Sequence, residues 1–145
     1  MTDTTLPECF ALFPSVTPID VAWGDMDAFG HVNNTKYFRY FETARIAYFT
    51  VIDVLDQRVG PIMASTSCRF RAPVTFPDRI LVGARLLEFQ GDRFAMEHLV
   101  WSTALQTVAA KGDSVIVPYD YETKSKVPIP DLWRQAIERV ESRVR

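Results

Sequence analysis

The sequence has 145 residues, of which 48% are apolar, and its 18 acidic residues nearly balance 16 basic ones. This length and composition predict one globular domain over residues 1–145 and exclude a two-domain enzyme. The net charge of −2 argues against nucleic acid as a partner, because phosphate binding needs a clustered excess of Lys and Arg.

The first predicted elements are a strand and a long helix. Ile19, Val21 and Trp23 alternate with other residues, as in a half-buried strand. The segment DMDAFGHVNN at 25–34 breaks this alternation and ends on two Asn residues, which favour a helix start. Apolar residues follow on both sides of that helix, so we predict that it is buried nearly all round: Tyr37, Tyr40, Phe41, Ala44 and Tyr48 on one side, and Phe38, Ile46, Phe49 and Ile52 on the other.

Strand-like alternation returns after the helix. It predicts a second strand over 62–70 and three more over 80–89, 94–105 and 107–117, with Pro118 ending the sheet. Turn residues at 90–92 favour a hairpin, and those at 111–113 favour a second turn or an internal bulge. The segment from Pro130, DLWRQAIERVES, predicts an amphipathic C-terminal helix.

This order of elements predicts an α+β protein with an antiparallel five-stranded sheet wrapped around one long helix, plus the C-terminal helix. One helix covers only part of such a sheet. Strands that are apolar on both faces, as at 99–101, therefore indicate that a second copy of the chain covers an edge or face.

Several classes of protein are excluded by what the sequence lacks. The longest stretch without formal charge has thirteen residues, 98–110, and a membrane-spanning helix needs about 18. No Lys or Arg precedes Lys36, whereas secretory and organelle signals carry early basic residues. Cys9 and Cys68 stand alone and are expected to be reduced thiols. We therefore expect a cytoplasmic protein with no membrane segment and no metal site.

The segment 25–34 carries the densest set of reactive side chains. It holds two carboxylates, an imidazole and two carboxamides, and it leads into the start of a helix. Unpaired backbone N–H groups at a helix start stabilise a developing oxyanion, and an adjacent Asp supplies a base or nucleophile. That pairing suits acyl transfer. The alternative is structural: Asp25 or Asp27 caps a turn, and Asn33 caps the helix.

The segment VAWGDMDAFGHVNNTKYFRYFETARIAYF resembles the signature of hotdog-fold acyl-CoA thioesterases of the 4-hydroxybenzoyl-CoA thioesterase type, in which an Asp-containing loop leads into the central helix. CRFRAPVTFPDRI is similar to the second strand of that family and the break before the third. VPYDYETKSKVPIP is similar to its closing strand and tail. The resemblance thus covers most of the chain, with three segments in the family's order.

The resemblance implies that Asp27 is the catalytic carboxylate, either as nucleophile on the thioester or as general base on water. It implies that the backbone N–H of Asn34 polarises the thioester carbonyl. His31 is a candidate to orient Asp27 or the substrate carbonyl, or to fix the loop. We interpret Asp25 as a structural turn acceptor. Glu42, which we expect to pair with Arg45, is a reserve catalytic carboxylate, because another hotdog subfamily places one on this helix.

The expected substrate contacts come from the loop, the second strand and basic residues. The resemblance implies that Gly30 permits the close turn, and Asn33 lies beside the carbonyl site at the helix start. Thr66 is a candidate for the acyl or pantetheine pocket. For the nucleotide end of CoA we expect Arg69 and Arg93, with Arg71 and Arg85 as alternatives. The family often has a basic run between the third and fourth strands, and only Arg93 stands there, so an acyl carrier protein stays an alternative to CoA.

The resemblance implies thioester hydrolysis without a cofactor, in a dimer or dimer of dimers. The alternative is a hotdog protein that binds acyl-CoA or acyl carrier protein without cleaving it. A phosphatase of the haloacid dehalogenase type is disfavoured, because strand follows strand after the Asp pair. His98, flanked by apolar residues, is interpreted as a satisfied sheet residue.

Overall fold

A computed structural model describes residues 5–145, so the first four residues of the predicted domain lie outside the described residues. The strands are β1 (Ser15–Asp20), β2 (Val59–Phe70), β3 (Arg79–Gln90), β4 (Arg93–Ser102), β5 (Thr107–Asp120) and β6 (Ser125–Lys126). The helices are α1 (Asn34–Ile52) and α2 (Asp131–Glu141). Short 3-10 turns occupy Glu8–Phe10, Trp23–Asp25 and Ser142–Val144.

The strands form one antiparallel sheet in the order β1-β3-β4-β5-β2, and β6 pairs with the end of β5. The core lies between one face of this sheet and α1, and α2 packs against α1 and β3. The predicted α+β architecture of five long strands around a central helix, with a C-terminal helix, is therefore confirmed. The two-residue β6 was not predicted.

The first strand lies earlier in the chain than the alternation predicts. β1 ends at Asp20, and Trp23 begins a 3-10 turn in which its side chain is exposed. β1 contains Pro18, which lacks a backbone N–H, but β1 is an edge strand and needs donors on one side only. The predicted strand at Ile19–Trp23 was therefore wrong at both ends.

β5 runs without a break through two positions where we predicted a change. Gly112 pairs in continuous register with His98 on one side and Cys68 on the other, so residues 111–113 form neither a turn nor a bulge. Pro118 pairs with Pro61 inside the β2–β5 ladder and does not end the sheet. Close packing requires glycine at 112, because a Cβ there would lie 2.4 Å from the Phe41 ring and 2.4 Å from the Ser67 carbonyl oxygen.

Phe41 and His98 form the contact between α1 and the middle of the sheet. Their rings stack with centroids 5.0 Å apart, and both residues are fully buried. His98 Nδ1 donates to the Gly83 carbonyl at 3.2 Å, so Nε2 accepts the Ser114 hydroxyl at 2.9 Å. Burial, and then the nearby positive charge of Arg45, lowers the pKa of His98 to about 3. His98 is thus a neutral, satisfied core residue, as predicted.

The burial of α1 is one-sided rather than nearly complete. Phe38 is 36% exposed and Ile46 is 46% exposed, whereas Phe49 and Ile52 are buried, so the prediction of burial all round is wrong at Phe38 and Ile46. The opposite side of α1 meets α2, where the Tyr48 hydroxyl donates to the Glu141 carboxylate at 2.8 Å. Burial raises the pKa of both groups.

We expect Gly112→Ala to destabilise the protein by about 1–3 kcal/mol, because the new methyl group meets a ring and a backbone carbonyl that cannot both move away. Gly24→Ala is the matched control, since a Cβ there meets nothing within 4 Å. Urea unfolding of both variants measures the difference. Equal stability of the two variants would show that α1 does not sit this close to the sheet.

Candidate active site

The loop before α1 folds into a small antiparallel ladder. Met26 and Val32 form an isolated bridge, and the Asp27 N–H donates to the His31 carbonyl at 2.9 Å. The Gly30 N–H donates to the Asp27 carbonyl at 3.0 Å, with φ of +80° at Gly30. That φ favours glycine, so Gly30 permits the turn, and its expected place beside the substrate stays a prediction.

Asp25 ties this loop to the buried side of α1. Its Oδ2 accepts the Tyr40 hydroxyl at 2.8 Å and the Ala22 N–H at 3.1 Å, and its carbonyl accepts the Asn33 N–H at 2.9 Å. Burial, and then the Asp25 carboxylate, raises the pKa of Tyr40. The interpretation of Asp25 as a turn acceptor is confirmed. Its bond to Tyr40, fifteen residues away, was not predicted, because sequence spacing does not show which helix side meets the loop.

Asp27 is half-buried, and each of its carboxylate oxygens accepts a hydrogen bond. Oδ1 accepts the Phe29 N–H at 2.9 Å, and Oδ2 accepts the Asn33 side-chain amide at 3.4 Å. A carboxylate oxygen has two lone pairs, so each oxygen keeps capacity for water or substrate. The carboxylate is oriented by the loop and is free to act as acceptor.

The start of α1 beside Asp27 has one unused donor. Asn33 is the N-cap, and its Oδ1 accepts the Thr35 N–H at 2.9 Å while its carbonyl accepts the Lys36 N–H at 2.9 Å. Within residues 5–145, the Asn34 N–H has no acceptor. This N–H lies at the positive end of a 19-residue helix, where negative charge is stabilised.

A cleft of about 250 Å³ opens at this helix start. It is lined by His31, Val32, Asn34, Tyr37, Phe70, Arg71, Ala72 and Pro73. The structure thus brings His31 and Asn34 to one cleft and places Asp27 beside it, through Asn33. In the described part of the chain the His31 imidazole makes no hydrogen bond to Asp27; the backbone carbonyl of His31 makes the contact instead.

Of the three substrate-binding residues predicted outside the loop, Thr66 and Arg69 lie on β2 and Arg93 lies on β4. The Thr66 hydroxyl donates to the Asp113 carbonyl, and Arg69 lines a depression of about 290 Å³ on the outer face of the sheet. Arg93 is the first residue of β4. Seven residues later in β4, Val100 pairs with Ala110 of β5, and Ala110 also pairs with Phe70 at the end of β2. Seven residues of strand span roughly 23 Å, so within one chain Arg93 is remote from the cleft.

Arg71 is better placed than Arg93. It lines both the cleft at the start of α1 and the depression that contains Arg69, so it joins the two surfaces. The sequence indicates that Arg71 directly follows β2. It does not show that β2 ends beside the loop at 25–34, so Arg71 could not be placed at the cleft from the sequence.

The reserve carboxylate Glu42 pairs with Arg39 on the exposed side of α1, not with Arg45 as predicted. Arg45 is only 6% exposed, and its Nη1 has no hydrogen-bond partner in the described chain. Arg39 and Arg45 each lie three residues from Glu42 in the chain. Which of the two meets Glu42 depends on how α1 is rotated against the sheet.

Residues 5–145 contain neither a metal-binding cluster nor a membrane-spanning helix. No cluster of three or more His, Cys, Asp or Glu side chains is arranged to hold a metal ion there. Neither described helix combines the length and apolar character needed to cross a membrane.

Known proteins share this fold and parts of this sequence. A thioesterase from Thermus thermophilus, solved with coenzyme A and zinc, is 32% identical and has a TM-score of 0.80, over 90% of this chain and 96% of that one. A gentisyl-coenzyme A thioesterase is 25% identical with a TM-score of 0.75, over 84% of this chain and 98% of that one. These likenesses confirm the predicted hotdog fold.

A protein of Bacillus subtilis without assigned function, YsmA, is 30% identical over 70 residues. That match covers 47% of this chain, and the chain spans about half the length of this relative, 48%. The family model described as the thioesterase-like superfamily matches residues 21–137, which contain the loop, α1 and the five strands from β2 to β6. The chain therefore belongs to the thioesterase-like superfamily.

Proposed function

We propose that this protein is an acyl-CoA thioesterase of the 4-hydroxybenzoyl-CoA thioesterase type, which hydrolyses a thioester to a free acid and CoA. The observation that carries the proposal is the placement of the Asp27 carboxylate beside the capped start of α1, where the Asn34 N–H is unpaired. A base or nucleophile and an oxyanion donor are the two groups that acyl transfer needs.

In the general-base route, Asp27 takes a proton from water while the water oxygen adds to the thioester carbonyl carbon. The Asn34 N–H donates to the resulting oxyanion, which collapses and breaks the C–S bond. The proton passes to the CoA sulfur, which leaves as a thiol. In the nucleophilic route, Asp27 adds to the same carbon and expels the sulfur, and water then hydrolyses the mixed anhydride. Both routes use the same two groups.

Arg71 and Arg69 are the basic residues that we assign to the CoA phosphates. Arg71 lines the cleft beside Asn34, and Arg69 lies with it in the outer depression, which Lys111 and the carboxylates of Glu97 and Asp113 also line. The coenzyme A bound by the thioesterase from Thermus thermophilus supports this ligand class. His31 lines the same cleft and is assigned to the substrate rather than to Asp27.

We further propose that the working unit contains at least two copies, paired through β2. β2 is an edge strand with exposed Met63 and Phe70, and the exposed Phe38 and Ile46 of α1 are apolar as well. An unpaired apolar edge of this length favours association. If two β2 edges pair in an antiparallel manner, the end of the sheet that carries Arg93 in one copy lies toward the Phe70 end of the other copy. Arg93 then lies nearer to the cleft of the partner than to the cleft of its own chain.

The first experiment incubates the pure protein with a panel of acyl-CoAs and a thiol reagent. We expect steady release of free thiol that EDTA does not reduce, because base and oxyanion donor both come from the protein. Loss of activity in EDTA and its recovery with zinc or magnesium would contradict this mechanism. Binding of acyl-CoA without thiol release would support the non-hydrolytic alternative.

Asp27→Asn should lower turnover by at least about 10²-fold while the fold is kept, because the amide has the same size but no basic carboxylate. The residual rate of the variant should also lose any acid-side fall of the wild-type pH–rate profile, because no basic carboxylate is left at this position. Steady-state kinetics across pH measure both effects.

Asp25→Asn is the matched comparison for Asp27→Asn. It should keep most turnover and cost about 1 kcal/mol of stability, because the amide oxygen still accepts one of the two hydrogen bonds at Oδ2. If Asp25→Asn is inactive and Asp27→Asn is nearly normal, with both folded, the catalytic carboxylate has been assigned to the wrong residue.

Light scattering at micromolar concentration should give at least twice the 16.5 kDa mass of one chain. Met63→Arg should shift the protein toward monomer and reduce activity, since a charge then lies on the β2 edge. Leu132→Arg, at a residue 77% exposed on α2, should change neither. A fully active wild-type monomer would disprove the paired arrangement.

A further inference from the structure

Asn33 uses both ends of its side-chain amide, toward different parts of the site. Oδ1 accepts the Thr35 N–H at 2.9 Å and the Thr35 hydroxyl at 2.7 Å. Because two donors face Oδ1, the orientation of the amide is determined: the opposite orientation would set the NH₂ group against the Thr35 N–H. Nδ2 is therefore the end that faces Asp27 Oδ2, at 3.4 Å.

The backbone of Asn33 is held as firmly as its side chain. Its N–H donates to the Asp25 carbonyl at 2.9 Å, and its carbonyl accepts the Lys36 N–H at 2.9 Å. Asp25 is in turn held by the buried Tyr40 hydroxyl. Every polar group of Asn33 thus has a partner within the loop and the first turn of α1, and the Nδ2 group commits one of its two N–H donors to Asp27.

We propose that Asn33 is a positioning residue, which transmits the geometry of the helix start to the Asp27 carboxylate, and not the substrate-binding residue expected from the sequence. The inference rests on the proposed function and deepens it. Phe29 N–H holds one carboxylate oxygen, and Asn33 Nδ2 holds the other. The next residue in the chain, Asn34, supplies the oxyanion donor. The Asn33 side chain therefore sets the position of the Asp27 carboxylate relative to the Asn34 N–H.

The contact at 3.4 Å is long, as is common for catalytic hydrogen bonds before substrate binds. A donor to the ionised carboxylate also stabilises the charged form over the neutral one. Asn33 therefore orients the Asp27 carboxylate through Nδ2, an effect separate from its capping of α1 through Oδ1. A residue that only caps the helix lacks the orienting effect.

Two variants separate capping from positioning. Ser and Asp are about as good as Asn at an N-cap, so Asn33→Ser and Asn33→Asp keep the capping oxygen. The Ser side chain is too short to reach Asp27, and the Asp side chain places a second carboxylate where the amide donor lies. Asn33→Ala, which lacks any capping group, shows what the loss of the cap alone does to stability.

We expect the Ser variant to keep the urea midpoint of the wild type, whereas the Ala variant, and at neutral pH the Asp variant with its two repelling carboxylates, unfold at lower urea. The Ser and Asp variants should both lower kcat by between about 10- and 100-fold with little change in KM, because the carboxylate is misplaced relative to the thioester. The acid limb of the pH–rate profile should move to higher pH in both, and furthest in Asn33→Asp, since a neighbouring negative charge disfavours ionisation.

Unchanged kcat and an unchanged acid limb in both folded variants would show that Asn33 only caps α1. A raised KM with unchanged kcat would restore the substrate-binding assignment. Carbon-13 NMR titration of the Asp27 carboxyl group gives a readout without substrate. If the wild type hydrolyses no acyl-CoA but the Asp27 titration still moves in both variants, the thioesterase proposal fails and the positioning role stands; an unmoved titration overturns the positioning role.

Discussion

The contact of Phe41 with Gly112 and His98 sets the depth at which α1 lies in the sheet, and the site depends on that depth. Gly112 leaves room for the ring, and the neutral imidazole of His98 stacks on it at 5.0 Å. His98 stays neutral because it is buried and lies near the positive charge of Arg45. Since protein interiors pack densely, a helix displaced here moves along its whole length, including the first turn that supplies the Asn34 N–H.

From that contact the site is built by three local connections. Tyr40, one residue before Phe41, reaches back to Asp25 and holds the loop against the helix. Asn33 caps the helix and touches Asp27, and Gly30 closes the turn between them. The result places a carboxylate at the positive end of a helix without neutralising the last free donor. The same end of the helix then serves both structure and the proposed chemistry.

The described chain also has features that a single copy leaves incomplete. β2 has an unpaired edge, and Arg93 lies at the far end of the sheet from the cleft. In the proposed function, association of copies and substrate binding are connected, because pairing through β2 brings Arg93 of one copy toward the cleft of the other.

The sequence by itself determined the features that depend on near neighbours. The strand and helix periodicities, the N-cap at Asn33, the turn at Gly30 and the structural role of Asp25 follow from residues a few positions apart, where backbone geometry limits the choices. Only the tertiary structure decided the end of β1, the unbroken course of β5 through Gly112, the pairing of Glu42 with Arg39, and the placement of Arg71 rather than Arg93 at the cleft. These depend on strand register and on the rotation of α1, which are set by contacts between residues far apart in the chain.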